Sequence, residues 1–395
     1  MNKPRLLFYC QHILGIGHLI RSMEIVRGLL TDFEVCFVNG GRVIEDFPIP
    51  AGVQVVNLPA IATDTEFQAL RAIDPNQDLD AVFAERTTTL VDLVDRFHPD
   101  VLVVELFPFG RRRFSTELVP CIESARARGA KVVCSLRDIV VTKQDRARHE
   151  AKICRLMNQY FDLLLIHGDP AFQPLELSFS RVSDLHCPVV YTGYVVQASA
   201  EAETPLIDPD GKRPVEDHHP LILTSVGGGR FGHELLFSVV AAAPYLTHLP
   251  HQLLVFSGPF CPPDVFAALE AQAAQHPNVT LQRYTPNLLA HMHRADLSIS
   301  MAGYNTTMNV LTSGVRAMVL PFTGNDDQEQ TLRAERLEEL GIVRVIRPDD
   351  LSPEQLAQRM VGCLQQRPPA RSFDFQGVAK TAAQLRALVY PQVAV

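Results

Sequence analysis

What most constrains this chain is a rhythm of short, continuous apolar runs, each followed by a turn and a stretch of helical period. RLLFYC (5–10), EVCFVN (34–39), VQVVNL (53–58), DVLVVEL (100–106), KVVCSL (131–136) and DLLLIHG (162–168) are apolar at successive rather than alternating positions. A strand that is apolar all round has both faces covered, as in a parallel sheet flanked by helices. Helical stretches are predicted between these runs at roughly 18–30, 78–97, 115–128 and 145–160.

Near residue 197 the rhythm stops. QASAEAETPLIDPDGKRPVEDHHP (197–220) is rich in Pro, acidic and small residues and carries no apolar period. It reads as a linker over 198–220. The rhythm then restarts with LILTSV (221–226), QLLVFSG (252–258), NVTLQRY (278–284), DLSISM (296–301), RAMVLPF (316–322) and VRVIRP (343–348), without internal sequence similarity between the halves. The expectation is an α/β chain of two Rossmann-like, doubly wound domains, 1–197 and 221–376, facing an interdomain cleft. A last segment, 377–395, is helical in pattern. Ligands of such sheets bind beyond the carboxyl ends of the strands, so the loops there are where chemistry is sought.

Composition narrows the function. A formal net charge of -8, no Trp and 7% aromatic residues argue against a nucleic-acid partner. The eight cysteines are scattered, without a CxxC pair or zinc spacing, and read as reduced, buried thiols of a cytoplasmic protein. The N-terminus MNKPRLLFYCQH has no signal-peptide core. No run approaches the ~20 apolar residues of a membrane span, so at most a peripheral contact with the inner face of a membrane is expected.

Several loops carry candidate residues. In FYCQHILGIGHLIRSMEI, Gly15 and Gly17 permit a tight turn and a close approach to a ligand, and His18 opens the next helix, whose free N–H groups favour an anion. A capping histidine is the alternative; its place at the strand's carboxyl end selects a functional imidazole. Glu105 and Asp138 stand at the ends of other strands, and either can hold His18 in its useful tautomer or serve instead as a cap or a partner of Arg137. Glu105 leads into LFPFGRRR, where Arg111, Arg112 and Arg113 follow two phenylalanines. Such a loop either grips a phosphorylated or lipid-linked acceptor and touches a membrane, or is a solvated turn. His167 and Asp169 form a further possible pair.

In the second half, Gly227, Gly228 and Gly229 follow a strand and open a helix, with Arg230 next; their N–H groups can approach a diphosphate. No Gly-Lys-Ser/Thr follows, so this is not a P-loop, and a plain turn would not need three glycines in succession. In SMAGYNTTMNVLTSG, Gly303 ends a strand and Asn305 or Thr306 can cap the next helix. Asp327, Gln328, Glu329 and Gln330 begin another helix, placed either to read sugar hydroxyls or simply to complement the helix dipole. Asp326 and Asp327 are adjacent rather than spaced as Asp-x-Asp, so no metal and no cofactor is expected.

SMAGYNTTMNVLTSGVRAMVLPFTGNDDQEQTLRAERLEELG resembles the donor-binding region of family 28 glycosyltransferases, whose archetype is the N-acetylglucosaminyltransferase that makes lipid II. QHILGIGHLIRS, ELFPFGRRR, SLRDI, HGD, YTGYV and DQEQTLRAERL resemble a branch of predicted bacterial glycosyltransferases. The resemblance covers nearly the whole chain and implies the GT-B fold, in which the C-terminal helix at 377–395 crosses back onto the N-terminal domain, with a nucleotide-sugar as co-substrate. It also implies roles. His18 would be a base or acceptor-positioning residue. Gly227 to Gly229 and the Ala302, Gly303, Tyr304, Asn305, Thr306 segment would hold the diphosphate. Tyr284 and Thr285 would lie near the base, and Asp327 to Gln330 near the sugar. The family usually has a glutamate for the ribose hydroxyls where this chain has Asn309, so bidentate carboxylate recognition is lost. The expected activity is inverting, metal-independent transfer from an NDP-sugar, UDP favoured, to a hydroxyl. Two alternatives stand beside it. Gly15, Gly17, His18 and Arg21 also resemble the UDP-sugar hydrolases of nonulosonic-acid biosynthesis, and Asn309 raises a non-catalytic nucleotide-sugar-binding protein. The dinucleotide fingerprint fails in both halves, which argues against a dehydrogenase.

Overall fold

A computed structural model describes residues 3–13, 16–45, 47–63, 69–74, 76–140, 145–197, 219–324, 328–367 and 372–390. The linker expected at 198–220 therefore lies outside them except for its last two residues. The chain divides into two units, Met1–Val196 with Phe373–Val395, and Gln197–Ser372.

The first unit holds β1 (Arg5–Cys10), α1 (Gly17–Leu29), β2 (Glu34–Asn39), β3 (Gln54–Asn57), β4 (Ile61–Thr63), β5 (Leu70–Ala72), α2 (Leu79–Phe97), β6 (Val101–Glu105), α3 (Ser115–Ala127), β7 (Lys131–Arg137), α4 (Arg146–Tyr160), β8 (Leu163–His167) and β9 (Val189–Tyr191). Seven strands form a parallel sheet in the order β3-β2-β1-β6-β7-β8-β9. Every residue of β6 and β8 is buried, which is why their sequences never alternate. Helix entries follow local chemistry: Asp78 accepts from the Ala81 N–H at 3.1 Å and Asp145 from the Arg148 N–H at 3.2 Å. The three-residue strands β4 and β5, an antiparallel pair, and β9 had no sequence signal because so short a run has no measurable period.

The second unit repeats the plan with β10 (Leu221–Ser225), α5 (His233–Ala242), β11 (Gln252–Phe256), α6 (Pro263–Ala273), β12 (Val279–Gln282), α7 (Leu288–Arg294), β13 (Leu297–Met301), α8 (Tyr304–Ser313), β14 (Arg316–Leu320), α9 (Glu329–Glu339), β15 (Val343–Val345) and α10 (Pro353–Leu364). Its parallel sheet runs β12-β11-β10-β13-β14-β15. The final helix, α11 (Gly377–Val389), belongs to the first unit. Ala382 and Leu385 join the core of Leu19, Met23 and Leu29 on α1, and Arg386 pairs with Asp32 at 3.2 Å.

Strand order reverses between β1 and β6 in one sheet and between β10 and β13 in the other. At such a point the chain leaves neighbouring strands in opposite directions and opens a crevice at their carboxyl ends. Beneath the first crevice lies a buried polar hub. The Arg86 guanidinium donates to both Glu117 oxygens (Nε 2.6 Å, Nη2 2.7 Å), to the Gly40 and Pro59 carbonyls (3.0 and 2.7 Å) and to Gln11 Oε1 (2.6 Å). Tyr9 donates to the same Glu117 carboxylate. Gln11 begins the loop toward α1, so the hub pins the base of that loop. Removing one partner of a buried pair strands the other charge, so Arg86→Met should cost about 3–5 kcal/mol. Hydrogen exchange of the β1 and α3 amides measures it; a loss below about 1 kcal/mol would show that the hub contributes little to stability.

Candidate functional site

At the first switch point, β1 hands over to α1 and β6 ends in Glu105. His18 lies in the first turn of α1, and its Nδ1 is 2.7 Å from Glu105 Oε1. Arg21, one turn on, donates to the same oxygen. Glu105 is fully buried, while the His18 side chain keeps 15% exposure. Burial pushes the Glu105 carboxyl up, but His18, Arg21 and Arg111 together overcome it and the group sits at about 2. Burial lowers His18 to about 3; Glu105 opposes this and the charges of Arg137 and Arg111 reinforce it. An ionised carboxylate only accepts, so Nδ1 carries the proton and Nε2 keeps its lone pair. His18 is thus no helix cap; it is a neutral imidazole held in one tautomer.

The other first-unit candidates fall out as follows. Gly17 starts α1, and Gly15 lies outside the described residues. Asp138 is buried just past β7, but the place against His18 Nδ1 is taken by Glu105. Arg111 is half-buried in the left-handed region (φ 55°), its Nε donating to the Gln11 carbonyl at 3.0 Å. Arg112 is half-buried and Arg113 exposed. The expectation of an exposed basic–aromatic loop needs correcting: Phe107 and Phe109 are core residues at 0% and 2% exposure, because ring burial outweighs any gain from display. His167 is a satisfied core histidine, its nitrogens 2.8 Å from Ser135 Oγ and 2.9 Å from Thr192 Oγ1. Asp169 bonds the Ala171 N–H at 2.9 Å.

At the second switch point, the three-glycine loop follows β10 and Gly303 follows β13, with Ser225 and Ser300 in register behind them. Gly227 and Gly229 take left-handed φ values of 66° and 84°. A Cβ on Gly229 would lie 2.3 Å from the Ser257 carbonyl oxygen, whereas one on Gly227 would meet nothing within 4 Å. The triple glycine is thus partly a packing device: the loop interlocks with the turn around Gly258, and Phe260 N–H bonds the Gly228 carbonyl at 2.9 Å. Sequence reading missed that turn because its partner is distant in the chain. Gly227 is the exposed member, open to a ligand. Arg230 stacks over Phe260, 5.3 Å from its centroid.

Gly303 caps α8 in extended conformation without a capping side chain, and its surroundings are open. The N-terminal turn of α8, Tyr304 to Thr306, is therefore the part of this unit best built for an anion. Ala302 is buried, its N–H bonded to Leu320 O. Tyr304 is buried with its ring beneath Arg333, while Asn305 and Thr306 are half-buried. Asn309 is buried and its Nδ2 donates to Gln197 at 3.3 Å. Tyr284 is exposed, and Thr285 Oγ1 accepts from the Asn287 N–H at 3.1 Å.

The quartet expected near the sugar is placed as follows. Asp327 lies outside the described residues and Gln328 is exposed. Glu329 is buried, however, and paired with Arg333 at 2.9 Å, since a buried carboxylate needs a cation. Gln330 Oε1 turns back to accept from the Phe322 N–H at 3.1 Å. Among the described residues no group of three or more His, Cys, Asp or Glu is placed to hold a metal, and no helix is long and apolar enough to cross a membrane.

Residues 226–382 match the glycosyltransferase family 28 C-terminal domain. A stretch of 90 residues is 32% identical to the UDP-N-acetylglucosamine–N-acetylmuramyl-(pentapeptide) pyrophosphoryl-undecaprenol N-acetylglucosamine transferase of Hahella chejuensis, covering 23% of this chain and 24% of that one. The chain thus spans about a quarter of that relative. An uncharacterized glycosyltransferase of Methanopyrus kandleri is 21% identical over 76% of this chain and 86% of its own. Among solved structures, the calicheamicin glycosyltransferase CalG4 superposes with a TM-score of 0.63 at 18% identity, both chains fully covered. Acinetobacter baumannii MurG gives 0.59 at 16% identity, covering 98% of this chain and all of the other. Two Rossmann-like halves, each a parallel sheet with one switch point, give the chain the GT-B fold of these structures. Within that fold, the second half of the chain is similar to the glycosyltransferase family 28 C-terminal domain.

Two outcomes are expected. Gly229→Ala should lower the melting temperature far more than Gly227→Ala, which carries only the left-handed cost of about 1–2 kcal/mol; equal shifts in differential scanning would contradict the interlocked loops. Because His18 is free base well above about 3, activity that depends on it should show no acidic limb between pH 5 and 8 in a kcat/KM profile; a limb near 6.5 that vanishes in His18→Gln would contradict the assignment.

Proposed function

We propose that this protein is an inverting, metal-independent glycosyltransferase that moves a sugar from a nucleoside diphosphate sugar to a hydroxyl acceptor. The observation that carries the reading is the His18–Glu105 pair: a neutral imidazole with a bare Nε2, held by a buried carboxylate at the carboxyl end of the switch-point strands. His18 takes the acceptor's hydroxyl proton as the new oxygen–C1 bond forms. The C1–phosphate bond breaks on the opposite face, and the diphosphate leaves with the bonding electrons. In the second unit, the α8 N-terminus and the Gly227 loop suit that leaving group, since preorganised N–H dipoles stabilise developing charge by several kcal/mol. UDP is favoured as the nucleotide because several relatives of the chain are named for UDP-N-acetylglucosamine. Arg111 lies near enough to His18 for its charge to lower the imidazole's pKa, which suits an acceptor bearing phosphate, lipid-linked or free. A cytoplasmic location with at most peripheral membrane contact fits such an acceptor.

Hydrolysis is the second reading, since the same imidazole can activate water. His18→Ala should abolish transfer while UDP-sugar still raises the melting temperature; saturating donor at a hundredfold excess over Kd adds about 2.7 kcal/mol. Undiminished turnover in His18→Ala would refute the base. Incubation with donor alone decides between the readings: free sugar released as fast as in the presence of acceptor identifies a hydrolase.

A further inference from the structure

We infer that Arg21 is a positioning residue of this site: its cation holds Glu105 in the ionised form, and thereby holds His18 in the tautomer with Nε2 bare. The inference rests on the reading of His18 as the base, and it goes beyond it by assigning a residue that touches no substrate.

The geometry carries it. His18 and Arg21 are three residues apart on α1, so their side chains leave the same face of the helix. Both converge on one atom, Glu105 Oε1. Glu105 Oε2 is buried with no hydrogen-bond partner among the described residues. That carboxylate's desolvation is offset by the imidazole N–H, by the direct ion pair with Arg21 and, at longer range, by the charge of Arg111. The Arg21 side chain is itself only 1% exposed, so solvent does not screen the pair. Without that cation, burial favours the neutral acid, a protonated Glu105 no longer requires a proton on Nδ1, and Nε2 is free to carry it instead.

Other groups share the field. Cys10, His12, Arg111, Cys134, Arg137 and His167 all feel Glu105, His18 or Arg21. Arg111 and Arg137 oppose protonation of His18, whereas Arg21 forms a direct ion pair with Glu105. Arg111 instead donates its Nε to the Gln11 carbonyl.

The test uses the ligand-free full chain first, so that it does not depend on the reaction. Nitrogen-15 NMR of the His18 imidazole reports which nitrogen is protonated. Wild type and Arg21→Lys, which keeps a cation in reach, are expected to show the Nδ1–H form across pH 5 to 8. Arg21→Gln, which keeps a donor but not the charge, is expected to lose that form or to show it only at the alkaline end. An unchanged tautomer and pH response in Arg21→Gln would overturn the inference even if His18 proves to be the base. If Arg21→Gln does not fold, Arg21→Gln combined with Glu105→Gln removes both charges; the inference expects that double variant to match Glu105→Gln alone, and an additive further change in tautomer would overturn it. In transfer assays, Arg21→Gln should lower kcat on the order of tenfold or more at pH 7, within the range of general-base effects, with KM for donor unchanged and an acidic limb displaced toward neutral pH. Loss of kcat at every pH without such a limb would point to mere structural damage and count against it.

Discussion

A carboxylate with no access to water sets the terms for the first unit's site. Glu105 sits at the end of a strand buried on both faces, and ionisation there is tolerable only if cations and donors converge on it. Helix α1 supplies them in one turn, His18 and then Arg21. The imidazole gains a defined tautomer and the guanidinium a partner, while α1 is tied to the sheet at its N-terminal end. The same economy appears below it, where Arg86 and Glu117 anchor the loop that leads from β1 to α1. Stability and chemistry here draw on the same buried charges.

The two units solve one geometric problem in the same way. Each is a parallel sheet whose strand order reverses once, between β1 and β6 or between β10 and β13, and the candidate groups flank that reversal. The first unit places side chains there, an imidazole and its carboxylate. The second places backbone there, an exposed Gly227 and an uncapped helix start at Gly303. Backbone amides suit a diphosphate because they donate without needing room for a side chain. A titratable base cannot be made from backbone, so it comes from the other kind of site.

Much of the fold was legible. The VLVV core of DVLVVE is continuously apolar because β6 is buried at every residue, and the limits of DVLVVE and DLSISM differ from β6 and β13 by one residue. His18 and Glu105 were legible as strand-end groups. What was not legible was competition for each polar side chain. That Glu329 pairs with Arg333, and that Gln330 also accepts from the Phe322 N–H, could not be read from their place at a helix start. Phe107 and Phe109 look exposed beside three arginines until the core is seen to claim them. Gly229 looks like a phosphate glycine, and the Ser257–Gly258 backbone explains it at least as well.

The sequence by itself determined the element types, the parallel character of both sheets and the loops that close them, because periodicity and burial are local properties of a run. The tertiary structure alone decided which strands neighbour one another, and so that His18 meets Glu105, 87 positions away. It alone decided that Arg21 shares that carboxylate and that Asn309 faces Gln197. These are pairings between distant segments, and a hydrogen bond or ion pair is defined by a few ångströms in space, to which separation along the chain gives no guide.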